Sequence, residues 1–459
     1  MAHAKKLAVR LSICSCLTLL SGCIPSIQDG SELPLNLQEI TTDKSAYEPG
    51  QKVEFTLIHS KTGKHSELTV NYYSEGDLLE TETLRTVDGM TKWVWTPPST
   101  DYCGYLIQVS SPNSSGSNAA LTIGVDVSSD WDVYPRYGFV SKYDDLSDAR
   151  IDSVIGRLNR FHINGIQFYD WHNSHHTPLP IHEGIPPDTW VDIANRTIYK
   201  STVERYINAA HSHNMNAMAY NLLYGAWGLG FDEDLSKEWI LYKDKDHTDP
   251  FFLDLPEGWA DDIYMMNTSN SSWNEYVINS MSTTFEHLDF DGWHVDQIGD
   301  LGELYGYDGK QVILKNTFTP FLKNAKQSLN KKLVMNAVAQ YGSAEIAAAP
   351  VDFLYNEVWN PDSTFNDLAG IINEARAYSG QNIVIPAYMN YNNSSHKSTF
   401  NTPGILLTDA VILAHGGIHL ELGEHMLCHE YFPNDNLKMS PDLEAALIDY
   451  YDYAVAYER

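Results

Sequence analysis

From Asp130 onward the sequence repeats one rhythm: a short apolar run, then a helix-like stretch. That rhythm is the strongest constraint on the fold, because strands that alternate with helices pair in parallel and need helices on the sheet face. Strands are expected at 136–140, 165–169, 217–221, 292–295, 333–336, 353–356, 383–387 and 417–420. Helices are expected between them, for example at 146–161, 201–213, 274–287 and 365–379, and a last one at 441–457. Eight such units in about this length predict a (β/α)8 barrel, the TIM barrel, over residues 130–459. Two connections, 170–198 and 222–271, are long. Long connections without periodicity are binding loops or lids, and both fall after strands, on the face where such barrels build their sites.

The stretch before the barrel reads differently. Residues 37–128 hold short alternating runs, among them Val53-Glu54-Phe55-Thr56-Leu57, Leu68-Thr69-Val70-Asn71-Tyr72, Lys92-Trp93-Val94-Trp95, Tyr105-Leu106-Ile107-Gln108-Val109 and Leu121-Thr122-Ile123. Turn signals such as Glu48-Pro49-Gly50, Asp88-Gly89 and Pro97-Pro98 separate them, a spacing that predicts an immunoglobulin-like β-sandwich. Upstream, Lys5, Lys6 and Arg10 precede an apolar run at 11–20, too short to span a bilayer. The run ends in Leu20-Ser21-Gly22-Cys23, like a bacterial lipobox. Residues 1–22 are therefore expected to be a secretory signal, Cys23 the lipidated residue and 23–36 a tether, making the protein an exported lipoprotein whose membrane contact is that anchor.

Composition narrows the partners. Sixty acids against 30 bases give a net charge of −30, which repels nucleic acid and anionic lipid and favours neutral or cationic ligands. Eleven Trp and 28 Tyr offer planes on which the C–H faces of sugars stack, though aromatic residues also fill cores. Of five cysteines Cys14 and Cys16 lie in the leader and Cys23 at its end, and Cys103 and Cys428 show neither a disulfide framework nor metal-ligand spacing. A monomer is expected.

Polar residues recur at the ends of the barrel strands. Asp170, Trp171 and His172 follow the second, and Tyr220 and Asn221 end the third. The fourth carries His294, Asp296 and Gln297, the fifth Asn336, and the sixth Asn356, Glu357 and Trp359. Tyr388 and Asn390 follow the seventh and Glu421 the eighth. Each alone is equally well a helix cap or a surface group. Together they suit a hydroxyl-rich ligand, which needs acceptors, donors and stacking planes on one rim. Two carboxylates stand out, because glycosidic cleavage needs one charged and one protonated acid. Asp296, between His294 and Gln297, has hydrogen-bonding neighbours that favour the ionised nucleophile. Glu357, among Tyr355, Val358 and Trp359, has an apolar setting that favours the proton donor.

The runs DVYPRYGFVSKYD, INGIQFYDWH, DGWHVDQIG, YNEVW and LLTDAVILAHGGIHLELGEHML resemble glycoside hydrolase family 66, the family of dextranases and cycloisomaltooligosaccharide glucanotransferases. The resemblance implies retaining, endo-acting cleavage of α-1,6-glucan (dextran), with Asp296 as nucleophile and Glu357 as acid/base. It also implies Asp170 and His172 at the innermost sugar. The chain departs from the family in two places. Its last expected helix, 441–457, runs almost to residue 459, so the family's C-terminal β domain is expected to be absent from residues 1–459. Its 390–402 connection is short where cyclising members carry a carbohydrate-binding insertion, so hydrolysis is expected over cyclisation.

Other chemistries fit less well. His172, His175 and His176 lie in a loop with Pro178 and Pro180 and no matching acid, so no metal and no cofactor is expected in the reaction. The GAWGLG run at 225–230 lacks the lysine and context of a phosphate loop, and no Gly-x-Ser-x-Gly elbow occurs. The alternatives are a cycloisomaltooligosaccharide glucanotransferase or transglycosylase, a non-catalytic surface glycan-binding lipoprotein, and a barrel glycosidase for another polysaccharide.

Overall fold

The computed structural model describes residues 35–61, 66–111, 120–232, 234–359, 362 and 364–458. The expected leader, Cys23 and nearly all of the tether lie outside the described residues.

Seven strands form the N-terminal unit: β1 (Leu37–Thr42), β2 (Val53–His59), β3 (Glu67–Ser74), β4 (Asp77–Arg85), β5 (Met90–Trp95), β6 (Cys103–Ser110) and β7 (Ala120–Val127). They make two antiparallel sheets, ordered β1-β2-β5 and β4-β3-β6-β7. Alternate side chains, including Phe55, Leu57, Val70, Tyr72, Trp95 and Ile107, meet in one buried core. The five quoted runs are all strands. The quoted runs leave out β1 and β4, and β4 has a physical excuse: no residue of it is fully buried. It is an edge strand held by its backbone ladder to β3, so its side chains carry no core-facing alternation.

Eight parallel strands follow: β8 (Tyr137–Val140), β9 (Gly165–Phe168), β10 (Asn216–Leu222), β11 (Gly292–Asp296), β12 (Lys332–Val338), β13 (Leu354–Glu357), β14 (Ile383–Ile385) and β15 (Gly417–His419). Each pairs with its neighbour in chain order. The two ends meet where Phe139 N–H donates to the Leu422 carbonyl at 3.1 Å. The result is a nearly closed parallel barrel, consistent with the (β/α)8 expectation. One helix follows each strand: α1 (Asp148–Arg160), α2 (Lys200–Ser212), α3 (Ser271–His287), α4 (Phe318–Leu329), α5 (Ser343–Ala347), α6 (Phe365–Ser379), α7 (Thr402–Ala414) and α8 (Pro441–Ala456). Caps account for the shifted helix starts. Ser147 accepts from Arg150 N–H and starts α1 at 148, and Asn270 accepts from Ser272 and Trp273 N–H and starts α3 three residues before the expected 274. No described helix is long and apolar enough to cross a membrane.

The long connections are not structureless. Thr189–Val191 pairs with Thr197–Tyr199 in the first, and Gly225–Trp227, Phe252–Leu253 and Ile263–Met265 form a small sheet in the second. Buried Ala226 and Met265 carry that sheet into the main core, which is why it stays ordered.

The N-terminal unit is bound to the bottom of the barrel. Arg136 is fully buried and paired with Asp126 of β7 and Glu458 beyond α8. Arg160 and His162 both reach Asp452 of α8, at 2.9 and 2.7 Å. α8 lies so close to the N-terminal sheet that a Cβ on Gly104 of β6 would stand 1.7 Å from the Val455 carbonyl oxygen. Cys103 and Cys428 are buried free thiols.

Candidate active site

Strand periodicity decides which side chains enter the barrel. On β10 to β13 the inward set includes Met218, Tyr220, His294, Asp296, Val334, Asn336, Tyr355 and Glu357. The lower members of this set, with Tyr137 and Phe353, fill the barrel interior. The upper members open into a cleft of about 380 Å³ lined by Tyr220, Asp296, Gln297, Asn336, Glu357, Trp359 and Tyr388. A larger cavity of about 470 Å³ lies at the opposite, N-terminal end, lined by His211, Asp289, Asp291 and Lys332, and has no carboxylate pair of this kind. Barrel sites form at the C-terminal ends of the strands, which assigns the chemistry to the smaller cleft.

Asn336 joins the two acids. Its Nδ2 donates at 2.9 Å to Asp296 Oδ1 and at 2.9 Å to Glu357 Oε2, so the facing oxygens are no more than twice that, 5.8 Å, apart. Tyr220 donates to the other Asp296 oxygen at 2.7 Å, and Tyr388 donates to the other Glu357 oxygen. Each carboxylate therefore has one private phenol and one shared amide.

The electrostatics separate the pair. Burial raises both acids. Glu357 is pushed up to about 7 by burial and then by the charge of Asp296, against the hydrogen bonds from Tyr388 and Asn336. Burial also raises Asp296, but hydrogen bonds from Tyr220, Asn336 and the Gln297 backbone favour its charged form. One oxyanion and one proton held side by side are what acid–base cleavage of a glycoside requires.

Of the expected rim residues, seven line the cleft and the others do not. Asn221 and Asn356 each neighbour an inward residue on a strand, so alternation turns them outward. Asn221 donates to the His175 carbonyl at 2.8 Å, and Asn356 pairs with Ser343 of α5 at 2.7 Å. Glu421 likewise follows inward Leu420, and burial with the charge of Asp409 pushes it up to about 8 on the helix side. His294 points inward but sits one layer lower, under Tyr220 and Tyr355, with Tyr137 Oη at 3.2 Å. Trp171 is wholly buried against Phe290 and Trp190 and donates to the Tyr220 carbonyl at 3.1 Å. Asn390 is a turn residue at φ 56°, its Oδ1 accepting from Asn401 N–H. Asp170 and His172 are buried beside the cleft. His172 stacks on Tyr220 at 6.0 Å, and burial pushes Asp170 up to about 7.

The expected rim set lacks several wall residues. Gln167 and Tyr169 come from β9 and the residue after it, Tyr355 from β13, and Glu430 and Phe432 from the loop after β15. Tyr169 stacks on Phe432 at 4.3 Å and closes one side of the cleft. Gln167 carried a signal, a lone amide in an apolar strand. Phe432 carried none, since it is brought in by a loop.

The chain is 30% identical over 413 residues to a cycloisomaltooligosaccharide glucanotransferase of Niallia circulans, a match covering 83% of this chain and 42% of that protein. It is 22% identical over 427 residues to a dextranase of Streptococcus salivarius, covering 78% and 50%. The crystal structure of a Paenibacillus sp. cycloisomaltooligosaccharide glucanotransferase complexed with cycloisomaltoheptaose superposes with a TM-score of 0.86 at 25% identity, over 92% of this chain and 81% of that one. The chain spans about half the length of the curated relatives it matches. The model of glycosyl hydrolase family 66 matches residues 42–459, and the chain belongs to that family.

Proposed function

We propose that the protein is a retaining, endo-acting glycoside hydrolase that cleaves α-1,6-glucosidic bonds of dextran to isomalto-oligosaccharides. The observation that carries this reading is the Asn336 bridge. One amide nitrogen spanning both acids, with facing oxygens at most 5.8 Å apart, supports the closer carboxyl spacing of retaining enzymes, roughly 5–5.5 Å, over the roughly 6.5–9.5 Å of inverting ones. In the first step an Asp296 oxygen attacks the anomeric carbon while Glu357 gives its proton to the departing glycosidic oxygen. A covalent glucosyl ester forms and the leaving chain departs as an alcohol. In the second step Glu357, now charged, takes a proton from water, whose oxygen displaces Asp296 at the same carbon. Tyr220 and Asn336 hold the nucleophile in line, and Trp359 and Tyr388, with ring centroids 5.5 Å apart, offer planes for a sugar.

Hydrolysis is favoured over cyclisation by the short 390–402 connection. A second Niallia circulans glucanotransferase aligns over 584 residues, more than this chain contains, so that relative carries segments this one lacks. The rest of the reading is an immunoglobulin-like sandwich over 37–128, a catalytic barrel over 130–459, and an exported monomer anchored through lipid on Cys23.

Reducing-sugar release from dextran tests the reading. Wild type should give a mixed series of isomalto-oligosaccharides whose first products keep the α configuration by NMR, and Asp296→Asn should lose at least about 10³-fold in kcat. Glucose as the sole early product would contradict endo action, and cyclic products would favour the glucanotransferase. Binding without any release would leave a glycan-binding protein.

A further inference from the structure

A second cluster of buried ionisable groups lies on the other side of the barrel wall. Asp409 of α7, His419 at the end of β15 and Glu421 just beyond it are 0%, 2% and 1% exposed, and each offers a donor atom within 4.8 Å of the others. None of them lines the cleft, and the proposed chemistry uses none of them.

The hydrogen bonds of the cluster do not balance. His419 Nε2 lies 2.9 Å from the Ala387 carbonyl, which can only accept, so that nitrogen carries a proton. His419 Nδ1 faces Asp409 Oδ1 at 2.8 Å and Glu421 Oε2 at 3.5 Å. Tyr451 of α8 donates to Glu421 Oε1 at 3.2 Å. An imidazolium would have one N–H left for the two acids. Asp409 Oδ2 and Glu421 Oε2 have no hydrogen-bond partner, although both are buried. With both acids ionised, two carboxylates beside one imidazole would also leave net negative charge in a dry site, which is costly without a further counter-charge.

We propose that Asp409, His419 and Glu421 form a structural site for one divalent transition-metal ion of the zinc class. His419 would ligate through Nδ1, its tautomer set by the Ala387 carbonyl, as the outer partners of metal-bound histidines do. Asp409 and Glu421 would supply carboxylate oxygens, and the two negative charges would cancel the ion's. Imidazole with carboxylates is a donor set that zinc accepts. The ion would pin α7 to the last barrel strand, with Tyr451 orienting Glu421 from α8. It has no part in cleavage.

Elemental analysis of the full chain, refolded with Zn²⁺ and freed of loose metal, tests this. About one ion per chain is expected for wild type, and less than about a tenth of that for Glu421→Gln and Asp409→Asn. Because a variant could fail to fold, wild type is also refolded with Co²⁺. Visible ligand-field absorption should develop, and a Tm above that of chain refolded with chelator. Wild type that takes up neither ion, with the same Tm in metal and in chelator, would overturn the site and leave a proton shared between Glu421 and Asp409.

Discussion

At the scale of residues, the site is organised by one amide. Because Asn336 stabilises the charged form of both acids, losing it should raise both titrations. Asn336→Ala is therefore expected to move both limbs of the pH–rate profile to higher pH and to lower kcat by about 10–10³-fold, read from kcat across pH on dextran. In wild type the alkaline limb should fall near pH 7, where Glu357 loses its proton, and the acid limb should lie above the ordinary aspartate range. The same raised acid affects stability. The folded chain keeps the Glu357 proton between the ordinary value of 4.5 and about 7, where the unfolded chain has released it. Its contribution is whole below 4.5 and is lost as the pH rises through 7. Glu357→Gln should thus be inactive yet more stable than wild type above pH 7, by at most about 3 kcal/mol, measured by denaturant unfolding at two pH values.

At the scale of elements, alternation along each strand does the sorting. Tyr220 and Asn221 are neighbours in sequence, as are Asn356 and Glu357, and both members of each pair look equally functional as text. The pleat sends one into the cleft and the other to the helix layer. Strand positions were legible because inward and outward faces are both apolar below the rim. Helix starts were less so, since they depend on which Ser or Asn side chain caps. The contact between β6 and α8 yields a sharp expectation. Gly104→Ala would drive a methyl into the Val455 carbonyl, backbone against backbone, so α8 must shift. A loss of about 2–3 kcal/mol or more is expected, seen as a lower unfolding midpoint.

At the scale of the whole molecule, the N-terminal unit and the barrel share buried charge. Arg136 lies between Asp126 and Glu458, one from each side of the junction. Arg136→Ala would leave two carboxylates buried without a cation, at a cost of about 3–5 kcal/mol. Calorimetry should show the lower Tm, and neutralising both acids in the same variant should recover much of it. The sequence alone determined the strand–helix rhythm, hence the barrel, because that rhythm is written in local periodicity. It also singled out Asp296 and Glu357 as the candidate pair, two acids at the C-terminal ends of nearby apolar strands. Only the tertiary structure decided that Asn336 stands between them, that Tyr169 and Phe432 close the cleft, and that Glu421 belongs to a different cluster. Those facts depend on which strands become neighbours and which way each side chain faces, and neither is encoded within any short stretch of chain.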